Sequence, residues 1–280
     1  MTKITTYEPD NSLKKGYLSI FGDIVREYRE NQWLIFQLFV RDFLSVYKQS
    51  FIGIVWVFII PLAGLLTFII LRSSGVFSTG EIAVPYPLYA IISLAFWQLF
   101  STGIVACSNS LTQAGQMLLK INFSKKSIVT ASLGQAIVSF LIQFILVLVL
   151  FALYGIAPSV WIIIFPLLMI PLLLLSLGLG FILSLLNGIS RDISSVLALV
   201  MTFLLFLTPI LYNKPSSGIL SDITEYNPLY YLIAGSRDLI LFGKMSVAPQ
   251  YLVSTGVSLA AFIIFIVIFH LTETRVAERI

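Results

Sequence analysis

Between Ser127 and Ser190 the chain runs for 64 residues without one Asp, Glu, Lys or Arg. A helix that crosses the hydrocarbon core of a bilayer needs only about 20 predominantly apolar residues. The run is therefore long enough for two transmembrane helices in succession, and its solvent is lipid rather than water. Every further reading of the sequence starts from that environment.

Composition extends the conclusion to the whole chain. It is 58% hydrophobic and 11% charged, whereas soluble domains carry roughly 25% charged residues. The excess of 17 Lys and Arg over 13 Asp and Glu reads as a topology signal in such a protein, not as a nucleic-acid patch. A single cysteine, Cys107, excludes an intramolecular disulfide and a cysteine metal cluster. The first thirty residues are polar, so no cleavable signal peptide is expected. The expected fold is an all-α integral membrane protein: a polar tail at 1–21, an interfacial amphipathic helix at 22–48 and a six-helix membrane domain at 49–280.

Distances between charges place the crossings. Gln49–Leu71 is long enough to cross once. Ile82–Leu119 is too long for one crossing and too short for two, and its second half turns small and polar (Ser108, Asn109, Ser110, Thr112, Gln113, Gly115, Gln116). The reading is one span near Tyr86–Ala106, continued by a helix that leaves the lipid or hides against protein. The 64-residue run breaks at Tyr154-Gly155-Ile156-Ala157-Pro158-Ser159, a turn-like cluster, into spans near Ile128–Leu153 and Val160–Leu186. Ile193–Asn213 and Val247–Leu271 complete six.

With the N-terminus inside, the cytoplasmic segments hold 13 of the Lys and Arg residues, and the outside keeps Arg72, Lys214, Arg237 and Lys244. The positive-inside bias therefore predicts both termini in the cytoplasm. Gly22–Gln49 mixes charged and apolar residues and is expected to lie flat in the headgroup layer. Leu229–Ala234, between spans five and six, is too short to cross and is expected to form part of a re-entrant hairpin, tolerated where it is buried against protein.

Enzymatic signatures are nearly absent. The predicted spans carry no Asp, Glu, Lys or Arg in their interiors, which argues against coupling to an ion gradient. His270 stands alone near the inner end of the last span and reads as an interfacial or packed side chain. There is no G-x-x-x-x-G-K-[ST] phosphate loop, so active transport would need ATP and Mg held by a second polypeptide. This chain itself is expected to hold no cofactor or metal and to have no catalytic residue.

Small residues recur every fourth position at Ser176, Gly180, Ser184 and Gly188, and at Thr102, Ala106, Ser110 and Ala114. Such stripes let helices approach closely in lipid, and packing within one subunit is the favoured reading over a subunit seam. Pro61, Pro166 and Pro171 are expected to kink their helices. Aromatic residues reach 14%. Most suit lipid-facing or belt positions, while Trp56, Phe96, Trp97 and Phe100 are candidates to stack on sugar rings along a path.

Several stretches resemble one family. Tyr47-Lys48-Gln49-Ser50-Phe51-Ile52-Gly53-Ile54-Val55-Trp56 followed by Pro61-Leu62 is similar to the opening of the first span in permease subunits of ABC-type polysaccharide exporters, which serve O-antigen, capsular polysaccharide and teichoic acid. Leu119-Lys120-Ile121-Asn122-Phe123-Ser124 is similar to the loop after span two, with Ser124 where a proline commonly follows the phenylalanine. Asn187 through Arg191-Asp192 matches the turn before span five, Thr208-Pro209-Ile210-Leu211-Tyr212 matches its end, and Tyr226-Asn227-Pro228-Leu229 with Arg237 resembles the outer hairpin.

The resemblance implies a homodimer with two copies of a separate ATP-binding subunit, moving a lipid-linked polysaccharide across the bacterial inner membrane. It implies docking of the ATPase through Arg41, Asp42, Lys48, Gln116, Lys120, Lys125 and Lys126. It further implies a path past Tyr47, Trp56, Phe96, Trp97, Phe100, Phe203, Phe206 and Tyr212, and a cytoplasmic turn at Arg191 and Asp192. An outer gate would contain Tyr226, Asn227, Pro228, Tyr230, Tyr231 and Arg237. A permease of the same broad superfamily for a small hydrophobic drug or lipid, an intramembrane lipid enzyme and a passive channel are the competing expectations.

Overall fold

A computed structural model describes residues 17–48, 55–75, 82–120, 124–190 and 192–276, and these residues form helices joined by short turns. In chain order the helices are α1 (Tyr17–Glu30), α2 (Gln32–Lys48), α3 (Trp56–Ser73), α4 (Tyr86–Lys120), α5 (Lys125–Leu153), α6 (Phe165–Ile189), α7 (Asp192–Leu207), α8 (Ile219–Glu225), α9 (Pro228–Phe242) and α10 (Ala248–Val276). In lipid a backbone must satisfy its own polar groups, and a helix does so within one segment.

Four segments are long and apolar enough to cross a membrane: Tyr86–Gly115, Lys125–Leu153, Val160–Ile189 and Ala248–Glu273. Two apolar helices are shorter, Phe58–Ile70 and Asp192–Leu207. α7 stops before the predicted end of its span because Pro209 follows Thr208, and a residue before proline is driven out of the helical region. Thr208 and Pro209 are instead buried in the turn that leads to Tyr212.

The long α4 is the axis of the bundle. Its first thirty residues are largely buried, with Leu88, Ala90, Ile91, Ile92 and Phe96 fully enclosed. The helix continues past Ala106 packed against protein, one of the two courses its polar second half leaves open, and its backbone breaks at Gly115 (φ 1°, ψ −89°). α6 packs along α4 through the small-residue stripe. A Cβ on Gly180 would sit 2.4 Å from the Cys107 Cβ, and one on Gly103 would sit 3.2 Å from the Ser176 Cβ. The α6 stripe therefore serves packing inside the subunit, whereas Thr102 and Ala106 of the α4 stripe are half-buried. On its other side α6 meets α10 so closely that a Cβ on Gly178 would lie 2.9 Å from the Phe262 Cα.

Two expectations need correction. Pro166 does not kink a helix; the chain first makes a 3-10 turn, Val160–Ile164, and Pro166 lies in the first turn of α6. There its missing N–H has no intrahelical partner to lose. Pro171 and Pro61 do lie inside α6 and α3. The interfacial element is also not one helix but two, α1 and α2, separated by a turn at Asn31. α1 begins at Tyr17, ahead of the expected start.

The N-terminal pair packs on one end of the bundle, α1 on α10 and α2 on α5. Gly134 on α5 makes this possible, because a Cβ there would come within 2.2 Å of the Phe39 ring. α9 caps the opposite end, and every residue from Leu229 to Leu241 in it is buried. Its C-terminus is held by Gly243 in the left-handed region (φ 70°), whose N–H donates to the Leu239 carbonyl. A Cβ there would meet the Ser159 Oγ at 2.9 Å, so the turn before α6 presses directly on this cap.

Candidate functional site

The Asn187 turn joins three helices. Asn187 is buried near the end of α6, and its Nδ2 donates to the Ser108 carbonyl at 3.1 Å and to the Asn109 Oδ1 at 2.9 Å on α4. Ser194, in the first turn of α7, is 2.7 Å from the Asn109 Oδ1 and donates to the Asn187 Oδ1 at 2.9 Å. Away from water an amide is stable only with such partners. The network thus fixes where α7 leaves the α4–α6 pair. Asp192 is exposed at the head of α7, where its charge favours the helix dipole. Arg191 lies outside the described residues.

At the same end an ionic cluster ties α1, α5 and α10. Lys126, on the first turn of α5, is 1% exposed. Its Nζ lies 2.8 Å from the Glu27 Oε2 on α1, contacts the Glu273 carboxylate on α10, and is 2.9 Å from the His270 Nδ1. Lys125 donates to the Glu273 carbonyl at 2.7 Å. Ser124 caps α5 by accepting from the Ser127 N–H and donates its hydroxyl to Glu27. Tyr28 completes the contact through Thr130 at 2.7 Å, and burial pushes its phenol above the ordinary range. Glu27, His270 and Glu273 have ligand atoms within 4.8 Å of one another. Lys126 already supplies the positive charge at their centre, so the donor set suits an ammonium better than a metal ion.

A second ionic knot sits at the α9 end. Arg237, 5% exposed, pairs with Asp238 at 2.8 Å, reaches the Ile210 carbonyl at 3.3 Å and lies 4.0 Å over the Tyr89 ring. Asp238 accepts from the Ser246 hydroxyl at 2.6 Å. Asn227 caps α9 by accepting from the Leu229 N–H at 3.0 Å and donates to Thr208 at 2.9 Å, while Pro228 takes the first turn. The Tyr231 hydroxyl donates to the Glu225 carbonyl at 3.0 Å.

Between α2, α4, α5 and α7 lies a cleft of about 510 Å³. Phe39, Asp42 and Phe43 form one wall, and Ser101, Thr102, Asn109 and Gln113 line the α4 side.

The remaining predicted positions divide by environment. Phe96, Trp97 and Phe100 are buried in the subunit core, where Phe96 packs on Phe140 with ring centroids 5.1 Å apart. Trp56, Phe203 and Phe206 are exposed on α3 and α7, and Phe206 approaches Phe68 with centroids 6.5 Å apart. Tyr212 is half-buried and donates to the Phe206 carbonyl at 2.8 Å. Tyr230, Tyr231 and Arg237 are buried, whereas Tyr226 is 87% exposed. Arg41 is exposed and paired with Asp42 at 2.6 Å. Lys126 faces inward, and Lys125 is half-buried. Tyr47, Lys48, Gln116 and Lys120 lie on α2 and α4, with side chains outside the described residues.

Sequence reasoning did not single out Glu27, Glu273, Ser194 or Asp238 as site residues. Asp238 could have been found from its place beside Arg237, since adjacent opposite charges in an apolar stretch signal an internal pair. Glu27 and Glu273 had no local signal.

Residues 34–241 match the profile of the family described as ABC-2 type transporter. A protein of Myxococcus xanthus named O-antigen export system permease protein RfbA is 24% identical, covering 92% of this chain and 99% of the relative. A Klebsiella pneumoniae protein of the same name is 27% identical, covering 85% of this chain and 91% of the relative. Another from that organism is 26% identical over the same shares. With nearly three-quarters of its length matched to the profile, this multi-pass membrane protein belongs to the ABC-2 type transporter family.

Proposed function

We propose that the chain is the transmembrane permease subunit of an ATP-driven exporter of a lipid-linked polysaccharide of the O-antigen, capsule or teichoic acid type. The observation that carries this reading is its similarity, along almost the whole of both chains, to proteins named as O-antigen export permeases. The sequence has no phosphate loop, so ATP and Mg belong to a separate ATP-binding subunit, and this chain carries no cofactor. Two permease chains and two ATP-binding subunits form the working unit in the inner membrane.

In this reading α3 and α7 join the four long helices to make six crossings, with both termini cytoplasmic. α1 and α2 form the interfacial element, continuing the polar tail, and residues 49–280 form the membrane domain. The α8–α9 segment is the re-entrant hairpin on the outer face, with Tyr226 at its exposed tip and Arg237 as its anchor. Arg41 and Asp42, together with Lys48, Gln116 and Lys120, meet the ATPase. Lys125 and Lys126 act behind that surface by holding α1 to α5 and α10.

The glycan path runs between the two protomers along α3 and α7. Trp56, Phe203 and Phe206 are accessible there, and Tyr47 lies on the approach. Aromatic faces stack weakly on sugar C–H surfaces, which suits a polymer that must keep moving. Phe96, Trp97 and Phe100 support the wall from within. ATP-driven closure of the two ATPases pushes α2 and the turn after α4, and α3 and α7 then separate.

The test is co-expression with the ATP-binding subunit encoded nearest in the genome. Co-purification, ATP turnover stimulated by lipid-linked glycan and intracellular glycan accumulation on loss of the permease are expected. Turnover stimulated by a hydrophobic drug and unmoved by glycan would overturn the reading in favour of a small-molecule permease.

A further inference from the structure

We propose that the cleft between α2, α4, α5 and α7 is a subsite for a neutral sugar ring of the transported glycan. This inference rests on the export reading above and names where, within one subunit, the glycan is first held. The volume of about 510 Å³ falls within the range of roughly 300–1,000 Å³ found for small-molecule sites. It is enough for a short saccharide segment.

The mixed lining of phenyl rings and amides fits a sugar better than a lipid tail. A pyranose presents hydroxyls at its rim and an apolar C–H face. Phe39 and Phe43 supply a phenyl wall, with ring centroids 6.1 Å apart and planes tilted by 38°. The amides of Asn109, Gln113 and Gln135 line the same cleft. Among the described residues that line the cleft there is no Lys, Arg or His, and Asp42 is itself paired with Arg41 at 2.6 Å.

Two further features indicate that the cleft is kept open for a ligand. Polar side chains at this depth of a membrane helix are costly unless they find partners. Gln135 is half-buried, yet makes no side-chain hydrogen bond within the described residues. Its neighbour Gly134 carries the close approach of Phe39, where a Cβ would stand 2.2 Å from the ring. The aromatic wall is therefore held against α5 by backbone contact, while the adjacent amide is left free to face the cleft.

The experiment uses the complete permease–ATPase complex in lipid nanodiscs with Thr102→Cys as a reporter. The native Cys107 is fully buried and stays silent to a polar maleimide. Labelling is timed with no addition, with lipid-linked glycan extracted from the producing cells, and with the same carrier lipid phosphate stripped of sugar. Glycan is expected to slow labelling several-fold and the bare carrier to leave it unchanged. Gln135→Leu should remove the protection, and Gln135→Asn, which keeps the amide, should retain part of it.

Protection by the bare carrier would overturn the proposal in favour of a headgroup site, and no protection by glycan would overturn it outright. Glycan-stimulated ATP turnover, measured on the same samples, separates the two levels. If stimulation is present without protection, only the subsite fails. If stimulation itself is missing, the export reading fails.

Discussion

Replacing Lys126 by Met tests whether the cluster joining α1, α5 and α10 holds the bundle together. The substitution keeps the aliphatic stem but removes the ammonium that lies 2.8 Å from Glu27 and contacts Glu273. Two carboxylates with oxygens within 4.8 Å then lose the ammonium between them, with His270 and Lys125 left beside Glu273. At an effective dielectric of about 20 their repulsion is about 3.5 kcal/mol. Removing one partner of a buried pair independently costs about 3–5 kcal/mol. Glu27 keeps 27% of its side-chain surface and Glu273 keeps 14%, so water relieves part of the strain, and about 3 kcal/mol is expected. With roughly 2–4 °C per kcal/mol for chains of this size, the midpoint of thermal unfolding should fall by about 6–12 °C. It is measured as loss of the monodisperse peak after heating the purified complex in mild detergent. Adding Glu27→Gln and Glu273→Gln to Lys126→Met should restore most of the loss, because the like charges are gone. A drop under about 2 °C, or no recovery in the triple variant, would refute the electrostatic account.

Other consequences follow from the same packing. Gly180→Val should lower stability by about 1–3 kcal/mol, since even a Cβ meets Cys107 at 2.4 Å; thermal unfolding reads the effect. Arg237→Lys should be nearly as damaging as Arg237→Met, because the ammonium cannot reproduce the planar contacts with Asp238, Tyr89 and the Ile210 carbonyl; limited proteolysis after Lys214 or Lys244 reports release of α9. Asn187→Leu should cost about 1–3 kcal/mol by stranding Asn109 and Ser194, and should lower glycan-stimulated ATP turnover more than basal turnover.

The sequence was most legible where a rule of the membrane acts on a single segment. Gaps between charges located the long helices because lipid excludes charge locally. The small polar stretch after Ala106 announced that α4 would continue beyond its span, either out of the lipid or against protein. The fourth-position stripe marked the α4–α6 seam, which Gly180 and Cys107 realise by direct contact. What escaped was contact between distant segments. Lys126 looked like a loop cation, but Glu273 lies 147 positions away, and no local pattern pairs them. Arg237 sits beside Asp238 in the sequence, but its contacts with Tyr89 and the Ile210 carbonyl join distant segments that no local pattern pairs. Phe96 and Trp97 looked like path residues because aromatic composition does not reveal which face of α4 meets protein.

The distribution of polar contacts assigns different mechanical characters to the helices. α4, α6 and α7 are stitched at one end by Asn187, Asn109 and Ser194. α1, α5 and α10 are stitched there by Lys126, and α9 is stitched to α4 at the other end by Arg237 and Ser93 at 3.5 Å. The hydrogen bonds of Thr67, Ser73 and Ser74 on and just after α3, by contrast, return to α3's own carbonyls. Among the described residues its polar contact with α4 is Arg72 lying 4.7 Å over the Tyr86 ring, worth about 0.5–1 kcal/mol at an exposed site. Burying Leu65 and Phe68 adds little orientation in lipid, where tails are as apolar as the side chains. Among the described residues, fewer polar contacts therefore tie α3 to α4 than tie α1, α5 and α10 or α4, α6 and α7 to one another. The proposed path along α3 predicts that this asymmetry serves transport, with α3 shifting against a body that carries a push from α2.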